Sequence, residues 1–73
     1  MNKELGERIR RVRKYRELTR EELSEITGIS SKHIYSIESG KSNLTVDKLI
    51  KICNALSIST DYILEGKNDN VFF

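Results

Sequence analysis

Apolar residues along this chain recur at intervals of three and four, and no stretch alternates with a period of two. That spacing puts them on helix faces, so the pattern predicts an all-α protein. Leu5, Ile9 and Val12 fall on one face of a first helix running from about Lys3 to Arg16, with Asn2 placed to cap its start. Gly6 sits inside that helix, which costs about 1 kcal/mol relative to alanine unless a neighbour packs closely there. Thr19-Arg20-Glu21-Glu22 has the form of a capping box and opens a second helix. Leu23 and Ile26 are its expected apolar contacts, and Gly28 its stop, because glycine tolerates the left-handed conformation at a helix end. Ser30 caps a third helix that runs to about Ser39, with Ile34 and Ile37 pointing inward and Gly40 closing it. Thr45 caps a fourth that reaches Leu56, with Val46, Leu49, Ile50, Cys53 and Leu56 as a broad apolar stripe. Ser59 caps a short fifth helix to about Leu64, followed by Gly66. The expected architecture is a compact five-helix bundle over residues 1–66 with a polar tail at 67–73. The tail ends in Val71, Phe72 and Phe73, which either pack on a partner subunit or are disordered, as termini often are.

At 73 residues there is room for one domain and no separate ligand-sensing one. A chain of this size buries only about 60% of the surface its unfolded form exposes, which favours helices joined by short turns. The hydrophobic share of 37% is too high for a disordered chain, and the charged share of 33% too high for a membrane protein. No apolar run approaches the roughly 20 residues that cross a bilayer, and the N-terminus has no apolar segment of the secretory type. Cys53 stands alone, so no intrachain disulfide forms, and a reducing cytoplasm is the expected location. Net charge is only +2, but eight of the thirteen basic residues lie between Lys3 and Arg20, against three acidic ones. A basic stripe is the footprint of a phosphate-binding face. A solvated helix face accounts for the charge equally well.

The stretch from Arg20 to Ile37 supplies a more specific signal. Two helices joined by a tight glycine-containing turn form a helix-turn-helix, whose second helix can enter the major groove of DNA. Here Leu23 and the small Ser24 lie on the first helix, Gly28 and Ile29 in the turn, and Ile34 and Ile37 on the second. The small residue lets the helices approach, and the glycine permits the change of direction.

With those residues in view, the chain resembles the lambda-repressor and Cro-type (xenobiotic-response-element) helix-turn-helix family of DNA-binding regulators. The resemblance covers about Leu5 to Leu64. It is carried by Leu5 to Arg10, Arg13, Leu18 to Leu23, Thr27 to Ser30, Ile34, Ile37, Glu38, Gly40, Lys41 and the run Leu49 to Leu64. It implies an ion pair between Arg13 on the first helix and Glu38 at the end of the third, which would brace the recognition helix. Three positions depart from the family's usual residues: Arg20 stands where glutamine is usual, Ser24 where alanine is, and Leu44 where a proline is frequent.

The resemblance also implies base contacts from Ser31, Lys32, Tyr35 and Ser36, the face of the third helix opposite Ile34 and Ile37. Lysine can donate to guanine, serine works through water, and Tyr35 suits a thymine methyl or a phosphate. Phosphate contacts are expected from Thr19, Arg20, Ser30, Lys41 and Asn43, with Arg10 and Lys14 as further candidates. Plain solvation explains each serine equally well. His33 reads as a surface or phosphate-side residue, with no ligands near it in sequence to make a metal site. Cys53 reads as a small buried hydrophobe. No paired-carboxylate cleft, glycine-rich phosphate loop or nucleophile arrangement is visible, so no enzyme activity, metal or cofactor is expected.

The expected function is that of a sequence-specific transcriptional regulator, read as a repressor. It would bind double-stranded DNA at a two-fold operator through recognition helix 30–39. One such helix covers few base pairs, so a homodimer is expected, with Ile50, Ile58, Tyr62, Leu64, Val71 and Phe72 as candidate interface residues. No membrane or small-molecule partner is expected. The alternative is a protein-interaction module with the same fold, such as an antitoxin acting through a partner protein. Lys32, Arg20, Lys41 and the basic first helix argue against it.

Overall fold

The computed structural model describes residues 2–65, with side chains from Lys3 onward. Five helices follow one another: α1 (Asn2–Tyr15), α2 (Arg20–Thr27), α3 (Ser31–Glu38), α4 (Val46–Leu56) and α5 (Thr60–Glu65). Among the described residues there is no strand. The expected all-α five-helix class is thus the observed one, with ends that agree to within a residue or two. Asn2 is the first residue of α1 rather than a cap ahead of it. The region from Gly66 onward, with Val71, Phe72 and Phe73, lies outside the described residues.

The core collects residues from every helix and two turns: Ile9, Val12, Leu23, Ile29, Ile34, Ile37, Leu49, Ile52, Cys53, Leu56, Ile58 and Ile63 are all buried. Leu5, Leu18, Leu44, Ala55 and Tyr62 close over it. Burying each branched side chain contributes about 1.5–3 kcal/mol, so this cluster is the main source of stability. α1 packs on α3 and α5, α2 on α3 and α4, and α4 on α5. Burial pushes the Cys53 thiol up to about 11, as suits a core hydrophobe.

Four expectations about the core need correcting. Ile26 is 59% exposed: it stands at the edge of α2's inner face, which Leu23 and Thr27 occupy. Val46 and Ile50 are likewise exposed, and α4 turns Leu49, Ile52, Cys53 and Leu56 inward instead. The apolar arc of α4 is wider than its contact surface, so its centre lies at Ile52 rather than between Val46 and Ile50. Ile58, expected at a dimer surface, is a core residue at 6% exposure and has no face to offer a partner.

Caps define the helix ends. The hydroxyl oxygens of Thr19, Ser30, Thr45 and Ser59 accept the backbone N–H of Glu22, His33, Lys48 and Tyr62 respectively. At Thr19 the box is reciprocal, since its own N–H donates to Glu22 Oε1 at 2.8 Å. Gly28 ends α2 in the left-handed region at φ 77°, its N–H bonded to the Ser24 carbonyl. Gly40 ends α3 with the paired bonds of a Schellman motif, Lys41 N–H to Ser36 O and Gly40 N–H to Ile37 O. The same pair of bonds ends α1 at Glu17 and α4 at Ser57, and both residues hold positive φ, at 60° and 53°, without being glycine.

Gly6 explains how α3 is seated. A Cβ there would lie 2.3 Å from the Ile37 carbonyl oxygen and 2.6 Å from that of Glu38. α1 therefore touches the last turn of α3 backbone to backbone, an approach only glycine allows. No helix of the described residues is long and apolar enough to cross a membrane.

Candidate nucleic-acid interface

α2 and α3 meet through the three-residue turn Gly28-Ile29-Ser30. Ile29 is buried, and the Thr27 hydroxyl, bonded to the Leu23 carbonyl, accepts the Ile29 N–H. Leu23, Ile34 and Ile37 fill the angle between the helices. The inner face of α3 is thus occupied by Ile34, Ile37 and Glu38, and its outer face carries Ser31, Lys32, Tyr35 and Ser36. Lys32 and Tyr35 are exposed, while Ser31 and Ser36 are half-buried. His33 is half-buried, and its Nε2 is enclosed without a hydrogen-bond partner among the described residues.

Around this face stand Thr19 and Ser30, both exposed at helix starts. Each uses its hydroxyl oxygen as the acceptor for the cap, which leaves the O–H proton to donate outward. Lys41 and Asn43, also exposed, follow α3 in a loop pinned by Lys41 and Ser42 N–H to the Ser36 carbonyl. That pinning gives the loop a defined path without the proline frequent in the family.

Behind the face lies a charged cluster. Arg13 grips Glu38 with its fork, Nε to Oε2 at 2.7 Å and Nη2 to Oε1 at 3.2 Å. Its Nη1 donates to the Leu18 carbonyl, tying the α1–α2 turn into the same group. The Glu38 side chain is 1% exposed and that of Arg13 7%. Breaking such a buried pair from one side leaves an uncompensated charge. Arg20 adds a third guanidinium bond, Nε to Glu38 Oε1 at 3.0 Å, and its guanidinium carbon lies 5.0 Å from the centroid of the Tyr35 ring. Lys41 Nζ is 5.9 Å from the same centroid. Two cations thus stand over the Tyr35 ring.

The basic stripe of α1 turns out to be divided in use. Arg8 donates to the carbonyls of Ile63 and Leu64, and Arg16 to those of Leu56 and Ser57. Arg11 reaches the Tyr62 hydroxyl at 3.5 Å. With Arg13 and Arg20, most of the arginines in the stripe serve the protein itself. Arg10 and Lys14 remain exposed, without an ion pair among the described residues. Charge counting could not separate these uses, because a guanidinium suits a backbone carbonyl and a phosphate alike. Among the described residues no cluster of His, Cys, Asp and Glu is placed to hold a metal ion.

Residues 6–69 match the model of a family described as "Helix-turn-helix domain". The chain belongs to that family, in its lambda-repressor and Cro-like branch. This helix-turn-helix protein is 35% identical over 60 residues to the control protein C.SmaI of Serratia marcescens, covering 82% of this chain and 71% of that one. It is 33% identical to the HTH-type transcriptional regulator YqaE of Bacillus subtilis, of which it spans 59%. Among solved structures, the P22 c2 repressor in complex with a synthetic operator superposes with a TM-score of 0.81 at 32% identity, covering 86% of this chain and 96% of that one.

Proposed function

We infer that this helix-turn-helix protein is a DNA-binding transcriptional regulator that reads a two-fold operator as a homodimer, with α3 in the major groove. The observation that carries this reading is the outer face of α3. Its core side is filled by Ile34, Ile37 and Glu38, while Ser31, Lys32, Tyr35 and Ser36 face outward in a fold shared with a repressor solved on a synthetic operator. In this reading Lys32 donates to guanine, Tyr35 presents ring edge and hydroxyl to a base or phosphate, and the serines act through water. Thr19, Ser30, Lys41 and Asn43 hold the backbone beside the groove, and Arg10 and Lys14 reach the phosphates beyond the end of α3. Glu21, Glu22 and Glu25 are exposed on α2 and keep non-specific attraction low. Repression by occupancy is the simplest action for a domain of this kind.

Dimerisation would place two α3 helices about 34 Å apart, on successive major grooves of one face of the duplex. Ile50 at 48% and Leu64 at 51% exposure are apolar residues left uncovered, with the half-buried Tyr62 on the same helix as Leu64. They form the proposed interface, to which Val71 and Phe72 belong as candidates outside the described residues.

Selection from random duplex DNA at moderate salt tests this reading. Enrichment of an inverted repeat with half-sites one helical turn apart supports it. A folded protein that enriches nothing would count against it and favour a module acting through a protein partner.

A further inference from the structure

A helix-turn-helix is closed at one end by its turn and open at the other. Here the closed end is Gly28-Ile29-Ser30, and Leu23, Ile34 and Ile37 fill the angle. At the open end stand the first residue of α2, Arg20, and the second half of α3, with Tyr35 and Glu38. Arg20 spans that opening. Its Nε donates to Glu38 Oε1 at 3.0 Å, and its guanidinium carbon lies 5.0 Å from the Tyr35 centroid. The carboxylate it grips is itself fixed, being 1% exposed and held by both nitrogens of the Arg13 fork. Tyr35 and Glu38 are three apart on α3, so they are neighbours across the border between its outer and inner faces and can be engaged by one planar group. Only 32% of the Arg20 side chain is exposed, whereas Lys32 and Lys41 stand in the open. The Nε–H and one face of the guanidinium are thereby committed to the protein, and the fixed Glu38 carboxylate sets where its remaining N–H groups can point.

We propose that Arg20 is a positioning residue: a strut across the open end of the helix-turn-helix that fixes the Tyr35 ring on the DNA face, and not a phosphate contact. It rests on the reading that α3 binds DNA. It reassigns the residue whose charge made it a phosphate candidate, and it makes Tyr35 a determinant of sequence preference rather than a mobile aromatic. An arginine is needed for this, because a lysine ammonium cannot present one face to a ring and an edge to a carboxylate at once.

The test compares the full chain with Arg20→Gln, Arg20→Lys and Lys41→Gln on an operator duplex obtained by selection, across a range of salt. Removing one side chain that neutralises a phosphate flattens the slope of log affinity against log salt by about 0.9. Lys41→Gln sets that reference. Arg20→Gln and Arg20→Lys are expected to lower operator affinity by roughly 5- to 150-fold, the size of one base contact, with the slope unchanged. They are also expected to relax preference at a single base pair, the one that Tyr35→Leu relaxes. A slope flattened by about 0.9 with preference intact would overturn the proposal and return Arg20 to the phosphates. A DNA-free arm separates this outcome from failure of the DNA reading itself. In thermal melting, the losses from Arg20→Gln and Tyr35→Leu should add to less in the double variant than separately, whether or not the protein binds DNA. Full additivity would overturn the strut, while absence of any DNA affinity in the parent chain would overturn only the reading beneath it.

Discussion

Replacing Gly6 with alanine sets two effects of opposite sign against each other. Within an isolated helix the change is favourable by about 1 kcal/mol, because alanine is the better helix former. In this fold the new Cβ would lie 2.3 Å from the Ile37 carbonyl oxygen, 2.6 Å from the Glu38 oxygen and 2.8 Å from the Glu38 carbonyl carbon. Ordinary contact begins at 3.4 Å, so α1 and the end of α3 would have to separate by about 1 Å. All three obstructing atoms are backbone, and no side chain can rotate away. Overpacking of this kind costs typically 1–3 kcal/mol and occasionally more. Net of the propensity gain, a cost at the middle of that range leaves about 1 kcal/mol. A domain of this size loses about 4–8 °C of melting temperature per kcal/mol, so the fall should be about 4–8 °C. Thermal melting followed by helical circular dichroism reads it. Glu7→Ala against Glu7→Gly, at an exposed position of the same helix, calibrates the propensity effect alone. A Gly6→Ala protein that melts at or above the parent temperature would show that α1 and α3 are not in backbone contact, and the account of how α3 is seated would fail with it.

Glu38→Gln leaves Arg13 buried opposite a neutral partner and should cost about 3–5 kcal/mol, seen as a lower urea midpoint at constant slope; an unchanged midpoint would mean the pair braces nothing. Ser57→Gly relieves a left-handed residue at the end of α4 and should raise the melting temperature by a few degrees, whereas a fall would indicate that the serine side chain is needed there. Lys32→Ala should weaken operator binding by roughly 1–3 kcal/mol and relax preference at one base pair; an equal loss on all sequences would make it a phosphate contact. Because burial raises the Cys53 thiol in the folded state to about 11 from 9.0, the folded protein binds its proton more tightly than the unfolded chain. That contribution to stability is complete below pH 9 and fades as pH rises toward 11, so denaturant midpoints of the parent should fall over this window more than those of Cys53→Ala.

The parts of the fold written in local chemistry were readable from the residues. Thr19, Ser30, Thr45 and Ser59 announced helix starts because a short oxygen-bearing side chain before an apolar run has one preferred use. Gly28 and Gly40 announced stops for the complementary reason. The ends at Glu17 and Ser57 gave no such sign, since an ordinary residue holds the left-handed position once tertiary packing outweighs the modest strain. Periodicity found the helices but not the width of their contact surfaces: hence Ile26 and Ile50 on the outside, and Ile52 and Ile58 within. The outer face of α3 followed from placing Ile34 and Ile37 inward. What sequence could not resolve was the destination of each arginine, because Arg8, Arg16 and Arg20 meet partners 55, 40 and 18 residues away along the chain.

The two arginine contacts at the ends of α4 and α5 bear on how this protein comes apart. Neither helix carries a basic residue in its own last turn. The positive charge that complements their C-terminal carbonyls is delivered from α1 and the turn after it, by Arg16 just past the helix to one and by Arg8 within it to the other. α1 therefore cannot fray independently, since its release would uncover two other helix ends and the Glu38 carboxylate together. The last helices are nearest the chain's end, yet they are stabilised by its beginning. Amide protons of α1, α4 and α5 should accordingly exchange with solvent as one unit, at the rate of global opening.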